Sequence, residues 1–211
     1  MALIYHAELH PDKMELLAAW LPTRSWFPKV GELPVERVGS FRFDDPDGQV
    51  GIETHLVAVG ADVVQVPLTY RGAPLEGAQK HLITTMEHSV LGKRWVYDGC
   101  GDPAYAQALT AAILSGQGQA PQYFEENGVR EDIPESVSVA ASGLPGGEEL
   151  AEGPQPGPAD LTVAHIRTGD WDLSVVRILE LGGEAVADPS LTATWAGQEV
   201  PVLLAWALPA E

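Results

Sequence analysis

The sequence predicts an α+β protein, a curved, mostly antiparallel β-sheet packed against two amphipathic helices. Two segments carry helix start and stop signals, one near the N-terminus and one at mid-chain. Between and after them run β-rich stretches joined by Gly/Asp/Pro turns.

Taken in order, the first element is a helix with Pro11 at its first position and Asp12 and Glu15 in its opening turn, where the helix dipole favours negative charge. Met14, Leu17, Ala18 and Leu21 repeat at helical spacing and form an apolar face; Pro22 ends it. Val35 to Phe43, Gln49 to Val59 and Val63 to Tyr70 read as three strands linked by Asp44-Asp45-Pro46-Asp47-Gly48 and Gly60-Ala61-Asp62, an antiparallel meander. His81 to Glu87 and Arg94 to Tyr97 are further strands. The second helix starts at the cap Asp102 with Pro103 behind it and stops at Gly116. Tyr105, Ala108, Leu109, Ala112 and Ile113 are its apolar stripe. Gln117 to Arg130 is expected to be loop. Ser142 to Asp160 is rich in Gly, Pro and acidic residues with almost no large apolar side chain, so a flexible acidic loop is expected at 142–160. Leu161 to Arg167, Trp171 to Leu181, Leu191 to Trp195 and Val200 to Leu208 are strands expected to complete the first sheet, making residues 1–211 a single domain.

Composition narrows the function classes. Twelve basic residues against thirty acidic ones give a formal charge of −18, a field that repels nucleic acid and anionic lipid. The longest apolar stretch, Val200 to Leu208, falls far short of the ~20 residues of a membrane span. The opening residues lack a signal-peptide pattern and Cys100 is the lone cysteine, so a soluble cytoplasmic protein is expected.

No motif for catalysis stands out. Gly99-Cys100-Gly101 lies between a strand and a helix, but Asp98 and Asp102 flank it and no Lys-Ser/Thr pair closes a phosphate loop. His165 with Asp170 and Asp172 imitates a phosphotransfer set, yet Thr168-Gly169-Asp170 reads as a hairpin turn. Asp44, Asp45 and Asp47 with Glu53 miss calcium-loop spacing, and the six histidines show no zinc pattern, so no metal and no cofactor are expected. Carboxylates beside Cys100 raise its pKa and blunt it as a nucleophile. Most of the six tryptophans are expected in the core, with Trp26 and Trp171 the exposed exceptions.

Met1-Ala2-Leu3-Ile4, Glu15-Leu16-Leu17-Ala18-Ala19-Trp20-Leu21-Pro22, the stretch Val66 to Leu75 and the stretch Glu87 to Gly99 resemble maltokinase N-terminal cap domains. The chain is still more similar to short proteins made of this cap alone, some of them labelled 1,4-alpha-glucan branching proteins, although it carries no acidic pair of a branching enzyme. The resemblance implies a cystatin-like curved sheet that in complete kinases packs on the N-terminal lobe near the nucleotide loop. It also implies that the kinase lobes, with every catalytic and ATP-binding residue, are missing. The role it implies is that of a non-catalytic accessory or regulatory protein of trehalose, maltose or glycogen metabolism, with a maltokinase-type kinase or glucan-pathway enzyme as partner. A small carbohydrate-binding module and a cryptic sugar kinase or transferase are the alternatives. Candidate binding residues come from the two polar, aromatic stretches: Tyr70 and Arg71 in the first, and His88, Arg94, Trp95, Tyr97 and Asp98 in the second.

Overall fold

The computed structural model describes residues 2–27, 34–126, 128–143 and 161–210. Strands β1 (Ala2–Ile4) and β2 (Leu9–His10) precede helix α1 (Lys13–Trp20), which runs on into a 3-10 turn over Leu21–Thr23. Asp12, not Pro11, begins this helix. Its carboxylate accepts from the amides of Met14 and Glu15 while Glu15 reaches back to the Asp12 amide, a reciprocal capping box. The buried face is Leu16, Leu17, Trp20 and Leu21, and Ala18 is exposed. The stripe is thus rotated from the expected one, because the large Leu and Trp side chains outweigh alanine in choosing which side faces the sheet.

Helix α1 covers one face of a six-stranded antiparallel sheet of order β2-β6-β7-β5-β4-β3, built with β3 (Val35–Phe43), β4 (Gly51–Val59), β5 (Asp62–Arg71), β6 (Leu82–His88) and β7 (Gly92–Asp98). The meander is as expected: Phe43 pairs with Ile52 and Val59 with Asp62. Residues alternate between faces. Val57, Val59, Val64, Val66 and Leu68 meet α1, and Phe41, Phe43, Ile52 and Leu56 turn the other way.

That second face receives helix α2 (Pro103–Ser115), capped by Asp102 and ended by Gly116 at a left-handed φ of 68°. Beyond it the structure departs from expectation. The supposed loop contains β8 (Gln122–Glu126) and β9 (Val129–Asp132), with β8 pairing in parallel with β1. No local pattern exposes that pairing, since β1 lies more than a hundred residues earlier in the chain. The final strands also do not complete the first sheet. β10 (Val137–Ala141), β11 (Val163–Thr168), β12 (Trp171–Val176), β13 (Ser190–Trp195) and β14 (Gln198–Pro209) form a second, five-stranded antiparallel sheet of order β10-β13-β14-β12-β11. The free edge of β5 is occupied by β7 at Leu68–Arg71, leaving room only near Val63–Gln65. There the two sheets join: Gln65 N–H donates to Arg177 O at 2.9 Å and Leu179 N–H to Val63 O at 2.8 Å. The Gln65 side-chain amide also donates to the Val176 and Leu204 carbonyls.

One apolar core therefore runs from β3 and β4 through α2 to Leu173, Val175, Leu191 and Leu204 of the second sheet. Trp26 and Trp171 are half-buried and pack on the two cores, so neither is an exposed ring. The expected acidic loop lies, after Gly143, outside the described residues. No described helix is long and apolar enough to cross a membrane.

Candidate functional site

On the α1 face of the first sheet the alternation brings charged groups together. Arg42 and Glu53 are register partners across the β3–β4 hairpin, with His55 and Tyr70 on the same face. Lys13, from the first turn of α1, closes over them. Its Nζ donates to Glu53 Oε2 at 2.6 Å and lies 5.8 Å from the Tyr70 ring centre. Arg42 donates to the same oxygen at 3.1 Å. His55 Nε2 is 3.6 Å from the other oxygen and 3.4 Å from the Tyr70 hydroxyl. Burial opposes ionisation of Glu53, but Lys13, His55 and Arg42 overcome it and hold the carboxyl well below its usual range. Burial, reinforced by Glu53, pushes the Tyr70 hydroxyl well above its usual value, so it keeps its proton.

Lys13, Arg42, Glu53 and Tyr70, with His55 buried beneath them, floor a cleft of about 630 Å³ between the sheet, the Tyr5–Leu9 segment and the Asp44–Val50 turn. The volume lies within the range of small-molecule sites. Tyr70, His88 and Arg94 of the sequence-derived set line it. His88 Nδ1 accepts the amides of Val90 and Leu91 at 3.2 and 3.1 Å. Burial and then Arg94 lower the His88 pKa, so the ring is held neutral with its proton on Nε2. Arg94 donates to Leu91 O, and Tyr5 meets the His88 ring edge-on at 6.1 Å.

The other four residues of that set are placed elsewhere. Arg71 clamps Asp102 from Nε at 2.7 Å. Asp102 also accepts Thr69 and caps α2. Burial opposes the Asp102 charge, but these donors hold its pKa below the ordinary value. Trp95 is half-buried with the Lys93 ammonium 5.2 Å from its ring centre. Tyr97 is 2% exposed and its hydroxyl accepts the Leu75 amide. Both carboxylate oxygens of Asp98 accept from Arg177 Nη2, at 2.8 and 2.7 Å. The Arg177 guanidinium in turn lies 4.9 Å from the Trp26 ring centre. Burial pushes the nearby Cys100 thiol up, well out of the reactive range.

Lys13, Arg42, Glu53 and His55 are the site residues that the sequence reading did not select. The available signal was Glu53 and His55 inside an otherwise apolar strand, opposite an arginine once the hairpin is centred on its Asp47-Gly48 turn. The acidic turn itself is committed to backbone: Asp45 accepts the amides of Asp47, Gln49 and Val50. His165 is hydrogen-bonded to Ser174, and Thr168–Trp171 closes the β11–β12 hairpin. Among the described residues, no group of three or more His, Cys, Asp or Glu is placed to hold a metal.

Comparison with curated proteins finds no match. Comparison with family models matches residues 20–102, from the end of α1 to the cap of α2. The cleft floor, from Arg42 to Arg94, falls within that stretch, and Lys13 is supplied from just outside it. The family model that matches these residues is described as the maltokinase N-terminal cap domain.

Proposed function

We propose that this chain is a non-catalytic, cytoplasmic accessory or regulatory protein of trehalose, maltose or glycogen metabolism that acts by binding a maltokinase-type kinase or a glucan-pathway enzyme. The observation that carries this reading is the cap domain itself, joined to a C-terminal half that seals its inner face. Helix α2 and the second sheet pack into the cap's own core through Phe41, Ile52 and Leu56 instead of opening a separate lobe. Three buried carboxylates are engaged in ion pairs that hold the fold: Asp98 with Arg177, Asp102 with Arg71, Glu53 with Lys13 and Arg42. A domain that caps a kinase is built to present a surface to another folded body. At the tip of the β6–β7 hairpin Val90 and Leu91 are 55% and 41% exposed, apolar side chains suited to such a contact.

The test is capture of a partner by the tagged full chain from extracts of its own cell, then reconstitution with the purified candidate. The expected result is a defined complex with a kinase or glucan-pathway enzyme, weakened by Leu91→Asp. Retention of neither enzyme class above background removes the reading.

A further inference from the structure

We propose that the cleft floored by Glu53 and Tyr70 binds a neutral polyhydroxylated ligand, a mono- or disaccharide. The lining charges cancel: Lys13, Arg42 and Arg94 stand against Asp44, Asp45 and Glu53. In a chain of formal charge −18 that balance is local, and it leaves the cleft without a net field to select an ion. An anion would find Lys13 and Arg42 both paired with Glu53, and Asp44 and Asp45 close by on the same cleft wall. A cation would find the Asp45 oxygens taken by backbone amides.

What the cleft does offer is oriented hydrogen bonding. The Nε2–H of His88 is fixed as a donor because Nδ1 accepts two amides. The Tyr70 hydroxyl is held protonated beside His55. Lys13 retains N–H donors beyond the one given to Glu53. At the mouth, the Tyr5 ring is 40% exposed and presents an apolar surface beside these groups. Hydroxyls are donor and acceptor at once, so a sugar satisfies such a mixed lining where a point charge does not. This site is independent of the partner reading, since a chain that retains no enzyme can still bind a sugar.

Calorimetric titration of the full chain with glucose, maltose and trehalose tests it, with inorganic phosphate and calcium chloride in parallel. The expected result is saturable binding of at least one sugar, weakened about tenfold or more by Tyr70→Phe and by His88→Ala, as loss of one oriented hydrogen bond predicts. Trp95→Ala, which lies outside the cleft, should leave binding unchanged. Circular dichroism checks that each variant folds. Should His88→Ala fail to fold, Tyr70→Phe decides, because it removes a single oxygen. No saturable heat from any of the three sugars overturns the proposal. So does tighter binding of phosphate or calcium than of sugar, or sugar binding indifferent to both cleft variants.

Discussion

Asp102 shows how much one residue holds here. It caps α2 through the Ala104 amide, accepts the Thr69 hydroxyl and receives the Arg71 guanidinium. Asp102→Ala should cost about 2–4 kcal/mol in urea unfolding, above the ~1 kcal/mol of a lost cap, because Arg71 is left unpaired. A double-mutant cycle with Arg71→Met should show coupling between the two; strict additivity would reduce Asp102 to a cap. Acid titration tests the same residue. Asp102 and Glu53 are both more acidic folded than unfolded. Their stabilisation is complete above the unfolded carboxylate pKa of about 4 and is lost as pH falls through the lower folded values. Melting temperature should therefore drop steeply below about pH 4, and less steeply in Asp102→Asn.

Among the elements, α2 is buried on more than one side, with Ala104, Tyr105, Ala106, Leu109 and Ile113 all covered. Leu109→Ala, at 0% exposure, should cost about 2–5 kcal/mol in equilibrium unfolding. Gly116→Ala should cost about 1 kcal/mol, since only glycine takes the left-handed φ of 68° without penalty. α2 was legible because its signals are local: Asp102, Pro103, Gly116 and an apolar stripe all lie within one stretch. The β3–β4–β5 meander was legible for the same reason, its turns being two short Gly/Asp segments. The pairings of β8 and β10 were not, because their partners are β1 and β13, far along the chain. The candidate site was half legible. Tyr70, His88 and Arg94 share the cleft, but Arg71, Trp95 and Tyr97 lie outside it, on the opposite face of their strands or further along them.

At the scale of the whole molecule, the two sheets depend on each other. A chain ended after Asp102 would expose Phe41, Phe43, Ile52 and Leu56. It should show no cooperative melting transition by circular dichroism, whereas the full chain should unfold in one step. Gln65→Leu, which removes the amide tying β5 to the Val176 and Leu204 carbonyls, should cost about 1–3 kcal/mol in urea unfolding. The fold class, both helices, the central meander and the likeness to the cap-domain family over residues 20–102 were already written in the order of the residues, since caps, turns, periodicity and family motifs are properties of chain neighbours. Long-range packing alone made the last strands a second sheet, brought Arg177 to Asp98, and gathered Lys13, Arg42, Glu53 and Tyr70 around one cleft. Each of those depends on which strand edges remain free and which face a side chain takes, and both are settled only when distant segments pack.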